Sequence, residues 1–128
     1  MKKIFTLGVA WKTFPLVKAI ATDIAANATS LKSLNSQRES EKDRRKQWDL
    51  DDEIKVVDRN LHANKEELRE LSVKLLDAET GKVGYRTIVN NQEAYFTWKI
   101  GEQTFSWQFV NEENQRDIPK DWLKEIQV

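Results

Sequence analysis

The sequence predicts an α+β fold: a long antiparallel two-helix hairpin packed on a three-stranded antiparallel β-meander, with a short C-terminal helix. Apolar residues recur at spacings of three and four through the first half of the chain, and at spacings of two after residue 82. Four glycines and two prolines in 128 residues allow few turns, which favours long elements. We expect one domain over residues 1–128, with the hairpin at about 15–76, the meander at about 83–110 and the last helix at about 119–126.

The first helix is predicted to begin near Pro15 and to end near residue 46. Thr6 suits the N-cap of a short helical segment before it, and Pro15 suits the first turn of the long helix. The charged run over residues 38–46 is typical of an exposed helix end. The apolar seam has helical spacing with one gap, and consists of Val17, Ile20, Ile24, Leu31 and Leu34.

A second helix is predicted from the acidic cluster at residues 49–53 to about residue 76. Acidic side chains at a helix start accept hydrogen bonds from free amides and favour the positive end of the dipole. A calcium loop is the alternative for this cluster, but the glycine and the terminal glutamate of such a loop are missing. The seam alternates spacings of four and three, and consists of Leu50, Ile54, Val57, Leu61, Asn64, Leu68, Leu71 and Leu75.

Two asparagines interrupt the two seams and are predicted to face each other. If the chain reverses near residues 45–48, positions whose numbers sum to about 91–92 lie opposite each other, which pairs Asn27 with Asn64. A mutual hydrogen bond would satisfy both amides and set the register of the helices. The alternative is that both asparagines face solvent or an oligomer partner.

Three strands of alternating polarity follow, and their large rings are predicted to share one face. Turns at residues 90–91 and 101–102 place Tyr85 opposite Phe96, and Phe96 opposite Trp107. Because the helices are the only partner for an apolar sheet face, we expect this face to be core; a platform that stacks single-stranded bases is the alternative. The opposite face is polar enough to meet water, and carries Arg86, Ile88, Tyr95, Thr97, Lys99, Ser106 and Gln108.

Composition excludes several kinds of site. The chain has no cysteine and a single histidine, His62, so it has no disulfide, no thiolate metal site and no pair of histidine ligands. The 21 basic and 21 acidic residues cancel, which removes any overall attraction to nucleic acid or anionic membranes. No phosphate loop, dinucleotide fingerprint or nucleophile elbow is present. We therefore predict no catalytic residue, no metal and no cofactor.

The chain is expected to be cytoplasmic and to lack a membrane span. No apolar run approaches the roughly 18 residues that a spanning helix needs. The first residues imitate a short signal peptide, but Lys12, Pro15 and Lys18 interrupt the apolar stretch.

Four polar residues near the predicted sheet edge are the candidates for a binding site, although no spacing rule singles them out: Lys99, Glu102, Gln108 and Arg116. The basic run at residues 44–46 is the candidate for nucleic-acid contact.

Short motifs at both ends of the chain carry a family resemblance. They are Phe5-Thr6-Leu7, Phe14-Pro15-Leu16-Val17, Leu75-Leu76-Asp77, Tyr95-Phe96-Thr97-Trp98-Lys99-Ile100-Gly101-Glu102, Trp107, and Arg116 with Ile118-Pro119. The chain resembles a bacterial family designated domain of unknown function 2203. The resemblance implies a shared fold and no known reaction. It also implies that aspartate, cysteine and histidine of relatives are replaced here by Gly84, Thr97 and Gln108, so that any site they form is not intact.

The function that the sequence favours is a non-catalytic interaction or assembly protein that uses its helical hairpin to hold a protein partner or to form a homodimer. The first alternative is a small-molecule or metal-binding module at the sheet edge. The second is a nucleic-acid accessory factor that uses the basic helix tip, although nucleic acid is not the expected partner.

Overall fold

The chain folds into a pair of long helices followed by a single antiparallel sheet, so the predicted α+β class is confirmed. The computed structural model describes residues 3–125. The helices are α1 (Leu7–Ser40) and α2 (Arg44–Glu70). The strands are β1 (Lys74–Asp77), β2 (Lys82–Val89), β3 (Gln92–Trp98), β4 (Ser106–Phe109) and β5 (Arg116–Asp117), and a single 3-10 turn follows at Trp122–Glu125.

Helix α1 begins eight residues before Pro15, where a separate short segment was predicted. Thr6 is the N-cap, and its hydroxyl oxygen accepts a hydrogen bond from the Val9 amide at 3.2 Å. Pro15 lies inside the helix, where it lacks the amide that would bond the Trp11 carbonyl. The helix continues because Phe14 packs on Trp98 and Phe105 of the sheet, with ring centroids 5.1 and 4.9 Å apart.

The connection between the helices is residues 41–43, and not the predicted 45–48. Asp43 is the N-cap of α2, since its carboxylate accepts the Arg45 amide at 2.9 Å. The acidic cluster at residues 49–53 therefore lies within α2, and its predicted role as the helix start is wrong.

Helix α2 ends at Glu70, and the predicted continuation to residue 76 is wrong. Ser72 adopts a left-handed φ of 62°, the Ser72 amide donates to the Arg69 carbonyl, and the Val73 amide donates to the Leu68 carbonyl. These two bonds form a Schellman motif, in which serine takes the place that glycine usually occupies. The chain then turns into β1, which the helical spacing of Leu75 concealed.

The sheet has five strands rather than the three predicted, in the order β1-β2-β3-β4-β5, with every neighbouring pair antiparallel. The predicted register is confirmed, since Tyr85 lies opposite Phe96 and Phe96 opposite Trp107. Asn90 and Asn91 have φ values of 52° and 64°, as the predicted two-residue turn requires.

The aromatic face of the sheet is core, as predicted. Its rings are buried against α1 and the base of α2: Tyr85, Phe96, Trp98, Phe105 and Trp107. Burial raises the pKa of the Tyr85 phenol to about 12, although the Thr13 hydroxyl donates a hydrogen bond to the Tyr85 oxygen at 3.3 Å.

The opposite face of the sheet is also largely closed to water, which corrects the prediction that it is solvated. Tyr95 is 5% exposed, Thr97 is 0% exposed and Gln108 is 7% exposed. Tyr95 lies against Gly84, since a Cβ built at Gly84 meets a Tyr95 ring carbon at 2.9 Å. The Lys82 ammonium donates to Gln108 Oε1 at 3.0 Å and covers Thr97, which lies between them in the register.

The predicted C-terminal α-helix is not present over the described residues. Residues Trp122–Glu125 form only a 3-10 turn, and the predicted end at Ile126 lies outside the described residues. Trp122 packs on Trp107 with ring centroids 5.4 Å apart, so this contact fixes the turn against the sheet.

Candidate functional site

The hairpin projects beyond the sheet as an arm whose seam is incompletely covered. We call residues 28–60 the distal arm. The last buried residue of α1 is Ala25 and the first of α2 is Leu61, and no residue of the distal arm is buried. The apolar seam nevertheless continues along the arm as half-buried side chains: Leu31, Leu34, Leu50, Ile54 and Val57. A two-helix layer with no third layer leaves apolar area in contact with water.

At the outer end of the arm, α2 extends past the end of α1, and only the connection at residues 41–43 runs beside it, where Gln47 Nε2 donates to the Glu41 carbonyl at 2.6 Å. From the Asn27–Asn64 contact, α1 continues 13 residues to Ser40, and α2 reaches back 20 residues to Arg44. At 1.5 Å per residue, α2 therefore extends about 10 Å past the end of α1. Trp48 lies on this overhang and is 65% exposed. Val56, also on α2, is 53% exposed.

Charge is segregated along the overhang. Three cations occupy its first turn, at residues 44–46, and four acids follow one turn later, at residues 49, 51, 52 and 53. Trp48 lies between the two groups. Trp48 was predicted to lie in the connection between the helices. It lies on α2 instead, because Asp43 caps that helix; an aspartate before residues 44–46 is the sequence signal for this helix start.

The two predicted seam asparagines do contact each other. The Asn27 side-chain amide donates to Asn64 Oδ1 at 2.9 Å, and both side chains are half-buried. Further out, Arg38 Nε donates to Asp51 Oδ1 at 2.8 Å, which ties the end of α1 to α2. These are polar links across an otherwise apolar seam: the asparagine pair lies at the junction of the arm with the sheet-packed base, and the Arg38–Asp51 pair lies near the outer end.

Asn27→Leu is expected to lower the free energy of unfolding by about 1–2 kcal/mol, because it leaves the Asn64 amide without its partner in a half-buried seam. The double variant with Asn64→Leu should recover most of that loss, since two apolar side chains then face each other. Urea unfolding of both variants measures the effect. Asn60→Leu, on an exposed position of α2, is the matched control. A single variant as stable as this control would contradict the role of the pair.

The sheet-edge candidates Lys99 and Glu102 belong to the β3–β4 turn. Glu102 Oε1 accepts the Lys99 amide at 3.0 Å, and Glu102 Oε2 accepts the Gln115 side-chain amide at 3.3 Å. The Trp98 indole N–H donates to the Glu102 carbonyl at 2.8 Å. All of these contacts hold the turn in place, so Glu102 is engaged in structure.

Gln108 and Arg116 lie apart from that turn. Besides Lys82, Gln108 contacts the Glu112 carbonyl, to which its Nε2 donates at 3.0 Å. The Arg116 guanidinium lies 4.9 Å from the Trp107 ring and bonds Glu112 Oε2 at 2.8 Å. The four candidates are therefore divided between the turn and the β4–β5 connection, and the structure does not assemble them into one site.

The three positions that the family resemblance marks, Gly84, Thr97 and Gln108, lie together on the outer face of the sheet. Gly84 and Thr97 are direct cross-strand partners, and Gln108 lies on the next strand on the same face. Tyr95 occupies the space beside Gly84, and the Lys82–Gln108 bond closes over Thr97, whose hydroxyl has no hydrogen-bond partner. Tyr95 was predicted on this face from strand alternation, whereas no pattern or motif in the sequence marks Lys82.

Across residues 3–125, no three acidic or histidine side chains are grouped so that they would hold a metal ion. His62 is exposed on α2. In the same range, neither helix combines the length and the apolar character that crossing a bilayer requires.

The fold and the arm define the class of protein, an α+β protein that carries a projecting helical hairpin on a five-stranded meander. The chain belongs to the family described as "Uncharacterized conserved protein (DUF2203)", whose family model matches residues 3–116. No curated protein and no solved structure gives a significant match.

Proposed function

We propose that this protein is a non-catalytic interaction protein that self-associates through its distal arm. The observation that carries the proposal is the large apolar side chain of Trp48, which is 65% exposed at the outer end of the arm. Exposed apolar surface of this kind gains free energy when a second copy covers it, at about 25 cal/mol per Å² of apolar area removed from water.

A second copy is the occupant that the charges favour. In a two-fold arrangement with antiparallel α2 helices centred on Trp48, residues seven apart on one flank of the helix meet across the axis. This places Arg45 beside Asp52 of the second copy. Like charges are thereby kept apart, and two exposed tryptophans cover each other at the centre.

The two other candidate functions have less support. A small-molecule or metal module at the sheet edge would need Lys99, Glu102 and Arg116 in one place, and their contacts keep them separate. A nucleic-acid factor would use the cations at residues 44–46, which lie one turn from four acids.

Sedimentation equilibrium tests the proposal over about 1–200 µM protein. The wild-type chain is expected to form dimers at the upper end, and more weakly at high salt because the flanking charges are screened. Trp48→Glu should raise the dimer dissociation constant at least about tenfold. Leu16→Glu is the control, since Leu16 is also a large apolar side chain, 54% exposed on α1, but lies outside the arm.

Exchanging the charges of Arg45 and Asp52 tests whether these two residues meet in the dimer. Arg45→Asp should weaken the dimer, and the double variant with Asp52→Arg should restore it, because both symmetry-related Arg45–Asp52 pairs are then reversed in sign. A wild-type chain that stays monomeric throughout the concentration range would overturn the proposal. Equal effects of Trp48→Glu and Leu16→Glu would overturn the assignment to the arm. Binding of single-stranded oligonucleotides in place of dimerisation would favour the nucleic-acid function.

A further inference from the structure

A basic groove lies where the end of α2, the N-terminal segment and the outer face of the sheet meet. Its volume is about 290 Å³, at the lower limit of small-ligand sites. Four cations from separate parts of the chain line it: Lys3, Arg69, Lys74 and Arg86. The Ser72 hydroxyl also lines the groove, and no carboxylate does. No residue that lines the groove belongs to the distal arm, so self-association through the arm does not explain the groove.

The two guanidinium groups are held in place by carboxylates outside the groove. Arg86 bonds Glu93 through Nε and Nη2 at 3.2 and 2.9 Å, and Arg69 bonds Glu66 through Nε and Nη2. Each guanidinium keeps Nη1 as a further donor. Arg86 also lies over the Tyr95 ring at 5.6 Å, which limits its movement. Because the Arg86 side chain is only 13% exposed and already oriented, an anion that binds it orders little additional side chain, whereas the Arg69 side chain is 73% exposed.

The helix end beside the groove presents fewer free oxygens to an anion than an uncapped end would. A helix C-terminus presents unpaired carbonyl oxygens, which repel negative charge. Here the carbonyls of Glu67, Leu68 and Arg69 accept hydrogen bonds from the amides of residues 71, 73 and 72 respectively. The last helical bond and the two Schellman bonds thus pair these three oxygens.

We propose that this groove binds a compact phosphate ligand with two or more linked phosphate groups. Planar guanidinium groups bond phosphate oxygens in pairs, and lysine ammonium groups contribute compact positive charge. Four cations around a volume of about 290 Å³ match a small multiply charged anion better than one monovalent group. Extended polyanions fit less well, because the cations face one concavity and do not form a stripe.

Isothermal titration calorimetry with inorganic pyrophosphate tests the proposal. Pyrophosphate is expected to bind, more tightly than orthophosphate and more weakly as salt is raised. Lys74→Glu should weaken binding at least about tenfold, because it reverses a charge that lines the groove. Lys18→Glu makes the same charge change on an exposed position of α1, and should alter affinity less than about twofold. Circular dichroism of both variants confirms that the fold is retained.

The remaining titrations distinguish the sources of the phosphate chemistry. Tighter binding of ADP than of pyrophosphate would identify the ligand as a nucleotide, and equal or weaker binding would identify a free oligophosphate. Absence of heat with pyrophosphate at low salt would overturn the proposal. Equal losses in Lys74→Glu and Lys18→Glu would overturn it as well, since the effect would then reflect net charge. Tighter binding of a single-stranded oligonucleotide than of any small phosphate would also contradict it.

Discussion

Leu68→Ala is expected to lower the free energy of unfolding by about 2–5 kcal/mol, the range for buried leucine truncations. Leu68 is 1% exposed and belongs to the core between α2 and the sheet. Its carbonyl also accepts the Val73 amide in the Schellman motif, so the surrounding backbone has little freedom to collapse into the cavity. The measurement is urea unfolding followed by circular dichroism, with the slope of the transition compared between variants.

Leu50→Ala provides the control for that experiment. Leu50 carries the same side chain on the same helix, but it is half-buried in the distal arm. Its truncation should cost the monomer about 1 kcal/mol or less. Equal losses at Leu50 and Leu68 in dilute protein would show that the arm is as tightly packed as the base.

Gly81→Ala is expected to cost about 2–5 kcal/mol, from two causes that act together. Gly81 has a φ of 64°, a conformation that costs an L-residue about 1–2 kcal/mol. A Cβ there would also lie 2.9 Å from the Ala21 carbonyl oxygen of α1, which is backbone and yields little. Overpacking of this kind typically adds about 1–3 kcal/mol. The turn at Gly81 therefore packs directly against the α1 backbone at Ala21.

Gly101→Ala separates the two causes. Gly101 also has a positive φ, of 97°, but a Cβ there meets no atom within 4 Å. Its substitution should therefore cost the conformational part alone, about 1–2 kcal/mol. Thermal unfolding of both variants gives the comparison. If Gly101→Ala is the more harmful, contact of Gly81 with α1 is not what limits the substitution.

The hairpin shows what helical periodicity predicts well. The facing of Asn27 and Asn64 followed from the two seams and an assumed reversal near residues 45–48, and the contact is present at 2.9 Å. The predicted connection at residues 45–48 is nevertheless wrong. Both facts hold together because residues 41–43 run along the hairpin and let α2 begin beyond the end of α1. Different positions of the connection can therefore give the same sum of facing residue numbers.

The missed strands show what local patterns lack. β1 follows a helix end at Ser72, and a left-handed serine leaves no mark comparable to glycine. β5 is two residues long, too short for alternation to register, and Arg116 is held there by the Trp107 ring. In both cases tertiary contact, rather than local preference, determines the structure.

The candidate site was only partly accessible to the sequence. Lys99, Glu102, Gln108 and Arg116 were selected by polarity, and the structure shows three of them in local bonds of turns and connections. The Lys82–Gln108 bond joins strands that are not adjacent, so strand alternation does not reveal it. The basic groove likewise draws its cations from four places in the chain, and their convergence exists only after folding.

The strand order of the sheet has a consequence for how the chain reaches its native state. Each strand pairs with the strand that precedes or follows it in the chain, and the two helices are likewise consecutive. Hairpins and short loops therefore close most of the structure, at the low entropic cost of short loops. The largest loss of chain entropy comes from the contact between the N-terminal segment and β2, where the Phe5 amide donates to the Arg86 carbonyl. Low contact order of this kind favours rapid folding, with docking of α1 on the sheet as the late event.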